Sequence, residues 1–266
     1  MDVVLTDPPL RRSLQIQLRV IGALVRREII TRYGRHNIGF LWLFVEPMLF
    51  TLGITAIWSA TRELHSANVP IVAFALTGYS TVLLWRNATG RCTKAIEPNL
   101  ALMYHRNVLV MDLFASRLLL ELSGATISFF ILTLLFSAIG WMQLPADPLT
   151  AMIGWFLLAW FASGLALAVG ALAERSDFVE RIWHPLAYFM LPISGAFFMV
   201  DWLPRAAQDV MVWVPLVNGV EMVRHGFLGN AVRTYEDPAF MILVNLGLSL
   251  LGLALMRETA RQVEPE

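Results

Sequence analysis

The chain has 266 residues, no formal net charge and a strongly apolar composition. Hydrophobic residues make up 57% of the chain, charged residues make up only 15%, and the mean hydropathy is +0.62. These values exclude an ordinary soluble domain and predict a membrane protein with several spans. The single cysteine, Cys92, also excludes an intramolecular disulfide and a four-cysteine metal site.

The first predicted element is an amphipathic helix over residues 10–30. Its apolar residues recur with a period near 3.6, and most of its arginines lie on the other side of the helix. A basic amphipathic helix directly before a span is typical of a helix that lies in the cytoplasmic membrane interface. The alternative is a helix that docks on the cytoplasmic surface of the protein itself. Residues 1–37 are therefore predicted to be cytoplasmic, and we expect no cleavable signal peptide.

The first predicted span covers residues 38–60, an apolar run of 23 residues. About 20 helical residues cross a hydrocarbon core of roughly 30 Å, so this run is long enough. Pro47 predicts a kink, and the preceding Glu46 should face protein, a partner or water rather than lipid. Trp42, Glu46 and Phe50 are spaced by four residues and share one face. Trp42 is alternatively an interface aromatic residue, and Glu46 a structural group that braces the kink.

Five further spans complete a predicted membrane domain over residues 38–256, followed by a cytoplasmic tail at 257–266. The five are predicted at 69–85, 114–140, 149–173, 182–200 and 239–256. Between the second and third spans, the sequence predicts a short helix with Pro98 in its first turn. Arg117 and Glu121, four residues apart, are predicted to pair. Small residues in the fourth span, Gly164 and Ala168 among them, predict close approach of another helix.

The segment 202–230 precedes the last span and is interrupted by prolines and glycines. Two half-helices of about 12 residues would each reach roughly 18 Å, which is less than the hydrocarbon core. The segment is therefore predicted to be a periplasmic re-entrant hairpin, with Pro215 ending the first half-helix and Asn218-Gly219 beginning the second. Glu221 and Arg224 should neutralise each other at depth. The alternative is a surface helix that rests on the outer leaflet.

The distribution of basic residues predicts the orientation of the chain. Of the 20 lysine and arginine residues, 15 lie in segments that share a side with the N-terminus in a six-span layout. The positive-inside rule then places both termini in the cytoplasm. The sequence has no GxxxxGK[ST] phosphate loop, no HExxH motif and no GxSxG motif, so we expect neither ATP hydrolysis nor another enzymatic activity. An intramembrane enzyme with scattered catalytic residues or a passive scaffold is the alternative from another functional class.

Three stretches carry a resemblance to a known family. They read REIITRYGRHNIGFLWLFVEP, IEPNLALMYHRNVLVMDLFASRLLLE and WVPLVNGVEMVRHGF. Together with the basic amphipathic helix, they resemble the permease subunit of type-2 ABC exporters, and among these the capsular polysaccharide export permeases. The resemblance covers nearly the whole chain.

This resemblance implies an all-α, multi-pass protein of the bacterial inner membrane that works as a homodimer of six-span subunits. Its partners would be two copies of a separate ATPase, which would bind ATP and Mg²⁺, and periplasmic adaptor and outer-membrane export proteins. The substrate would be a lipid-linked capsular polysaccharide, and the permease itself would bind no cofactor, metal or nucleic acid. The sequence does not identify the glycan, and O-antigen, teichoic acid or a small amphiphile are alternative substrates.

The resemblance also implies roles for particular residues. A coupling helix that docks in the ATPase corresponds to Pro98, Asn99, Leu100, Met103, Tyr104 and His105. The re-entrant helices correspond to residues 202–230, which we expect to form an outer lid that depends on Pro215, Glu221 and Arg224. A further role follows from residue chemistry rather than from the resemblance: Trp42 and Phe50 have flat apolar faces that suit sugar rings, and Glu46 can accept hydroxyl hydrogen bonds, so these three are candidates for the translocation path.

Overall fold

A computed structural model describes residues 10–33, 45, 48–50, 52–54, 56–57, 69–103 and 108–263. Within this part of the chain the secondary structure is entirely helical, which confirms the all-α prediction. The α-helices are α1 (Leu10–Tyr33), α2 (Ile71–Cys92), α3 (Leu100–Met103), α4 (Val110–Ala138), α5 (Pro148–Ala173), α6 (Asp177–Met190), α7 (Arg205–Met211), α8 (Pro215–Leu228) and α9 (Pro238–Val263). Short 3-10 helices cover Glu97–Asn99, Val200–Trp202 and Gly229–Ala231.

Among the described residues, three helices are long and apolar enough to cross a membrane. They are α4, α5 and the Pro238–Gln262 part of α9. These helices overlap the predicted third, fourth and sixth spans, so the chain is a membrane protein with several apolar spans. Most of the predicted first span, 38–60, lies outside the described residues, and the count of six stays a prediction.

The central helix is α5, which packs against α2, α8 and α9. Glycines bring the helix backbones close together: a Cβ added at Gly164 would lie 3.1 Å from Leu248 on α9. On the α8 side, a Cβ added at Gly226 would lie only 2.2 Å from the backbone nitrogen of Ala151. The close approach predicted from small residues in the fourth span is thus confirmed, and at Gly226 a side chain cannot be added without moving a helix.

Helix α2 is enclosed by protein along most of its length. All residues from Ala73 to Trp85 are buried, including three with aliphatic hydroxyl groups, Thr77, Ser80 and Thr81. The Thr77 and Thr81 hydroxyls donate to carbonyl oxygens of the preceding helical turn. Because its neighbours are protein rather than lipid, α2 needs less apolar surface than α4 or α5. This explains why the predicted second span is a long helix but is not among the helices apolar enough to span.

The predicted fifth span, 182–200, is not one continuous helix. Helix α6 has 14 residues and ends at Met190, so it reaches only about 21 Å. Turns follow, and Gly195 has a φ of +81°, a left-handed conformation that glycine adopts without strain. Pro192 contributes to the break, because it lacks the N–H that would continue the helical hydrogen bonds.

The segment 202–230 contains two helices, as predicted, but the division between them differs. The second helix, α8, begins at Pro215 rather than at Asn218-Gly219. Proline suits this position, because the first helical N–H groups have no partner within the helix. Asn218 holds the turn before α8 by donating to the carbonyl oxygens of Val212 and Val214, at 2.6 and 3.2 Å.

Candidate functional site

Arg224 is the most buried charged side chain of the predicted lid. It is 0% exposed, and its guanidinium donates to three carbonyl oxygens in the turn after α6, those of Gly195, Ala196 and Phe198, each at 2.6 Å. The guanidinium carbon also lies 3.7 Å from the centroid of the Phe74 ring on α2. Charge-assisted hydrogen bonds and a cation–π contact are the interactions that make a buried guanidinium tolerable.

The turn that Arg224 binds also lies directly against α2. A Cβ added at Gly78 would lie 2.3 Å from the carbonyl oxygen of Ala196 and 2.9 Å from a nitrogen of Arg224. Only a residue without a side chain fits this contact. Arg224 therefore connects α8, the turn after α6 and the middle of α2.

Glu221 and Arg224 form hydrogen bonds with different backbone groups. Its carboxylate accepts from the N–H groups of Val200 and Tyr235, each at 3.2 Å, and no ion pair joins it to Arg224 in the described structure. The two charges attract each other at longer range, without a direct ion pair. The two side chains instead bind donors and acceptors of neighbouring segments, which satisfies buried backbone groups that water cannot reach.

The polar side of α8 also binds the segment that leads into α9. Asn218 accepts from the N–H of Asp237 at 2.8 Å, and His225 forms a hydrogen bond with Glu236. Together with the Glu221 contact to Tyr235, these bonds attach α8 to residues 235–237. The predicted lid is thus connected on one side to the end of α6 and on the other side to the start of α9.

The predicted coupling segment begins with a 3-10 turn at Glu97–Asn99, which has Pro98 in its first turn, and continues as α3. Leu100 is 45% exposed, as a docking residue requires, whereas Met103 packs partly against the hydrophobic core of the chain. Asn99 is buried, where it accepts from Arg27 on α1 and donates to the carbonyl oxygen of Ala95. Tyr104 and His105 lie outside the described residues.

The residues just before the coupling segment are held by the end of α5 and the first turns of α6. Lys94 lies 2.5 Å from Glu180, and the Ile96 N–H donates to Glu174 at 2.8 Å. Partial burial of Glu174 raises its pKa, and the Ile96 N–H opposes that shift. This arrangement links the residues that lead into the coupling segment to the C-terminal end of α5 and to α6.

Arg117 is predicted to pair with Glu121, but in the structure its guanidinium binds other groups. Its guanidinium donates to the carbonyl oxygens of Arg91 and Lys94 and lies 3.7 Å from Glu28 on α1. Glu121 lies 3.6 Å from Arg91 instead. Spacing along one helix could not reveal these contacts, because the partners come from α1 and from the segment that follows α2.

The predicted path residues are described only in part. Phe50 is 52% exposed, and its ring stacks on Tyr79 of α2 with a centroid separation of 4.7 Å. Trp42 and Glu46 lie outside the described residues, so a shared lining of the three residues stays a prediction. No group of three or more His, Cys, Asp and Glu side chains in the described ranges could hold a metal ion.

Comparisons with known proteins agree over nearly the full length of the chain. The family model for the ABC-2 type transporter matches residues 19–228. The chain is 47% identical to the capsule polysaccharide export inner-membrane protein CtrC of Neisseria meningitidis over 254 residues, which are 96% of each chain. It is 46% identical to the capsule polysaccharide export inner-membrane protein BexB of Haemophilus influenzae, over 96% of this chain and 97% of BexB.

A more distant relative is the polysialic acid transport protein KpsM of Escherichia coli. It is 25% identical over 251 residues, which are 93% of this chain and 96% of KpsM. Both the family match and the close relatives cover far more than the apolar spans alone. The chain belongs to the ABC-2 type transporter family of membrane proteins.

Proposed function

We propose that this chain is the membrane-spanning permease subunit of an ATP-driven exporter that moves a lipid-linked capsule polysaccharide across the bacterial inner membrane. The observation that carries the proposal is the similarity to CtrC and BexB, at 47% and 46% identity over 96% of the chain. The sequence contains no phosphate loop, so ATP and Mg²⁺ would bind to a separate ATPase subunit.

The chemistry of a glycan explains why a protein path is needed. Each unpaired hydroxyl costs on the order of 1 kcal/mol or more in hydrocarbon, so a long polysaccharide cannot cross the bilayer unaided. In our proposal two copies of the chain, each with six spans and cytoplasmic termini, form the path between them. Trp42, Glu46 and Phe50 line it, and the α7–α8 segment is its outer lid on the periplasmic side.

The ATPase would dock at the cytoplasmic end of the chain. The exposed side chain of Leu100 supports this role for the coupling segment, and α1 would lie in the membrane interface beside it. The bond from Arg27 to Asn99 supports a mechanical connection between α1 and the coupling segment. On the other side of the membrane, adaptor and outer-membrane proteins would receive the glycan.

Deletion and complementation in a capsulated bacterium that uses a related exporter test the proposal. We expect deletion of the resident permease gene to leave capsule polysaccharide inside the cell, and expression of this chain together with its ATPase to return it to the surface. An inactive ATPase variant is the matched control. Surface capsule in the deletion strain, or complementation without any functional ATPase, would contradict the proposed function.

A further inference from the structure

A basic pocket of about 220 Å³ lies between α2 and α6. Its lining includes Arg86, Asn87 and Arg91 from α2 and Trp183, His184 and Tyr188 from α6. The lining contains no Asp or Glu. The pocket is smaller than the roughly 300–1,000 Å³ of a drug-sized ligand site, so it suits a headgroup rather than a larger molecule.

The positive charge in this pocket is only partly compensated. The Arg86 guanidinium lies over the Tyr188 ring at 4.9 Å from its centroid, and it has no hydrogen-bond acceptor in the described part of the chain. Arg91 lies 3.6 Å from Glu121 through one nitrogen, and its side chain is half exposed. Two guanidinium groups thus keep donors that fit the oxygens of a phosphate, which arginine binds in a bidentate manner.

Trp183 forms a buried part of the pocket wall. The residue is 5% exposed, and its Nε1–H is buried and has no acceptor among the described residues. The donors that a ligand in the pocket can reach are therefore those of Arg86 and Arg91.

The surface of α6 beside the pocket is apolar. Ile182, Leu186 and Phe189 are exposed and spaced by three or four residues, so they form one face of the helix. Arg86 and Arg91 lie in the part of α2 that follows its buried section. In the proposed topology this part is at the cytoplasmic surface, where anionic lipids concentrate.

We propose that the α2–α6 pocket binds the phosphate headgroup of an anionic phospholipid from the cytoplasmic leaflet. Arg86 and Arg91 hold the phosphate, and the acyl chains lie along the apolar face of α6. Basic pockets between membrane helices on the cytoplasmic side suit such headgroups. The location rests on the proposed topology, but binding itself is measured without export, so failure of this inference leaves the proposed function intact.

Native mass spectrometry of the purified full-length chain in detergent, titrated with phosphatidylglycerol or phosphatidylcholine, tests the assignment. We expect one phosphatidylglycerol per chain to bind more tightly than phosphatidylcholine. Arg86→Gln should weaken this affinity about tenfold, the loss expected for one charge-assisted hydrogen bond. Arg257→Gln, at an exposed α9 arginine outside the pocket, is the control and should bind as the unmodified chain does.

A second variant, Tyr188→Leu, and competition by inorganic phosphate test the same lipid site independently of Arg86→Gln. Tyr188→Leu removes the ring under Arg86 from an exposed position, so it should weaken phosphatidylglycerol binding even if Arg86→Gln fails to fold. Inorganic phosphate should displace the lipid only at much higher concentration. Equal affinity for the two lipids, unchanged binding in folded Arg86→Gln, or displacement by phosphate at the lipid's own concentration would each overturn the proposal.

Discussion

Glu221 and Arg224 lie three residues apart on α8 and bind successive parts of one backbone segment. Arg224 donates to the carbonyl oxygens of Gly195, Ala196 and Phe198, and Glu221 accepts from the N–H of Val200. One helix therefore provides hydrogen-bond partners for three carbonyl groups and one N–H group of the same buried turn. The position of α8 relative to the turn after α6 depends on this pair of side chains.

The first prediction concerns Arg224. Arg224→Met should lower the free energy of unfolding by about 3 kcal/mol or more, because it leaves three buried carbonyl oxygens without their donor and removes the positive charge near Glu221. Arg224→Lys should also destabilise the protein, since an ammonium group cannot serve the spread acceptors and stack on Phe74. Thermal unfolding in detergent measures both variants. Arg205→Met, at an exposed position of α7, is the control, and equal unfolding temperatures would contradict the role of Arg224.

The second prediction concerns the contact of α5 with α8. Gly226→Ala should destabilise the protein by about 1–3 kcal/mol, because the new Cβ would meet the backbone of Ala151 and force the two helices apart. Gly247→Ala in α9 is the matched control, since no atom lies within 4 Å of its added Cβ. The amount of monodisperse protein after a graded heat step compares them. A Gly226→Ala protein as stable as the control would show that the helices do not touch as described.

The third prediction concerns orientation. Cys92 is 0% exposed, so an impermeant maleimide should not label the native chain from either side, although its segment is predicted to be cytoplasmic. In a Cys92→Ala background, Glu97→Cys should be labelled in inverted vesicles, and Leu144→Cys should be labelled in intact spheroplasts. Both positions are exposed. Labelling of Glu97→Cys from the periplasmic side would contradict cytoplasmic termini and the six-span layout.

The fourth prediction separates docking from folding in the coupling segment. Leu100→Asp should reduce co-purification of the ATPase and abolish export while leaving the permease stable, because Leu100 is exposed. Met103→Asp should lower the amount of folded permease, because Met103 packs against the core. Gel filtration of the membrane extract followed by immunoblotting distinguishes the two effects. Normal export by the Leu100→Asp variant would exclude Leu100 as a docking residue.

The fifth prediction concerns pH. Desolvation raises the pKa of Glu174 above its ordinary value of 4.5, so the folded chain retains this proton at a pH where the unfolded chain has released it. Glu174 therefore lowers stability as the pH rises from about 4.5 through its raised pKa. Glu174→Gln should remove this part of the pH dependence while still accepting from Ile96. Unfolding temperatures of both proteins at several pH values provide the measurement, and parallel curves would contradict the prediction.

Sequence patterns predicted the long helices better than the contacts between them. Apolar run length located α4, α5 and α9, and Pro98 marked the start of the coupling turn, because these features depend on local residues. The break in the predicted fifth span was harder to predict. Pro192 and Gly195 allow a break, but the turn is fixed by Arg224, which lies about 30 residues later in the chain.

Charge pairing could not be read from spacing for the same reason. Arg117 and Glu121 are four residues apart, yet each side chain is bound by groups from other elements. A buried guanidinium group forms hydrogen bonds with the acceptors that tertiary packing places beside it. Backbone carbonyl oxygens at helix ends are common acceptors, because they have no partner within the helix. Neither the contacts of Arg117 nor the α2–α6 pocket has a local sequence pattern.

The enclosed position of α2 affects how the chain is inserted during synthesis. Thr77, Ser80 and Thr81 are covered once the later helices have packed around α2, and α5, one of its main neighbours, begins only at Pro148. Until the ribosome has made α5, these hydroxyl residues would face lipid or the insertion machinery. We therefore expect α2 to remain beside the translocon until α5 arrives, so that the two helices leave it together as a packed pair.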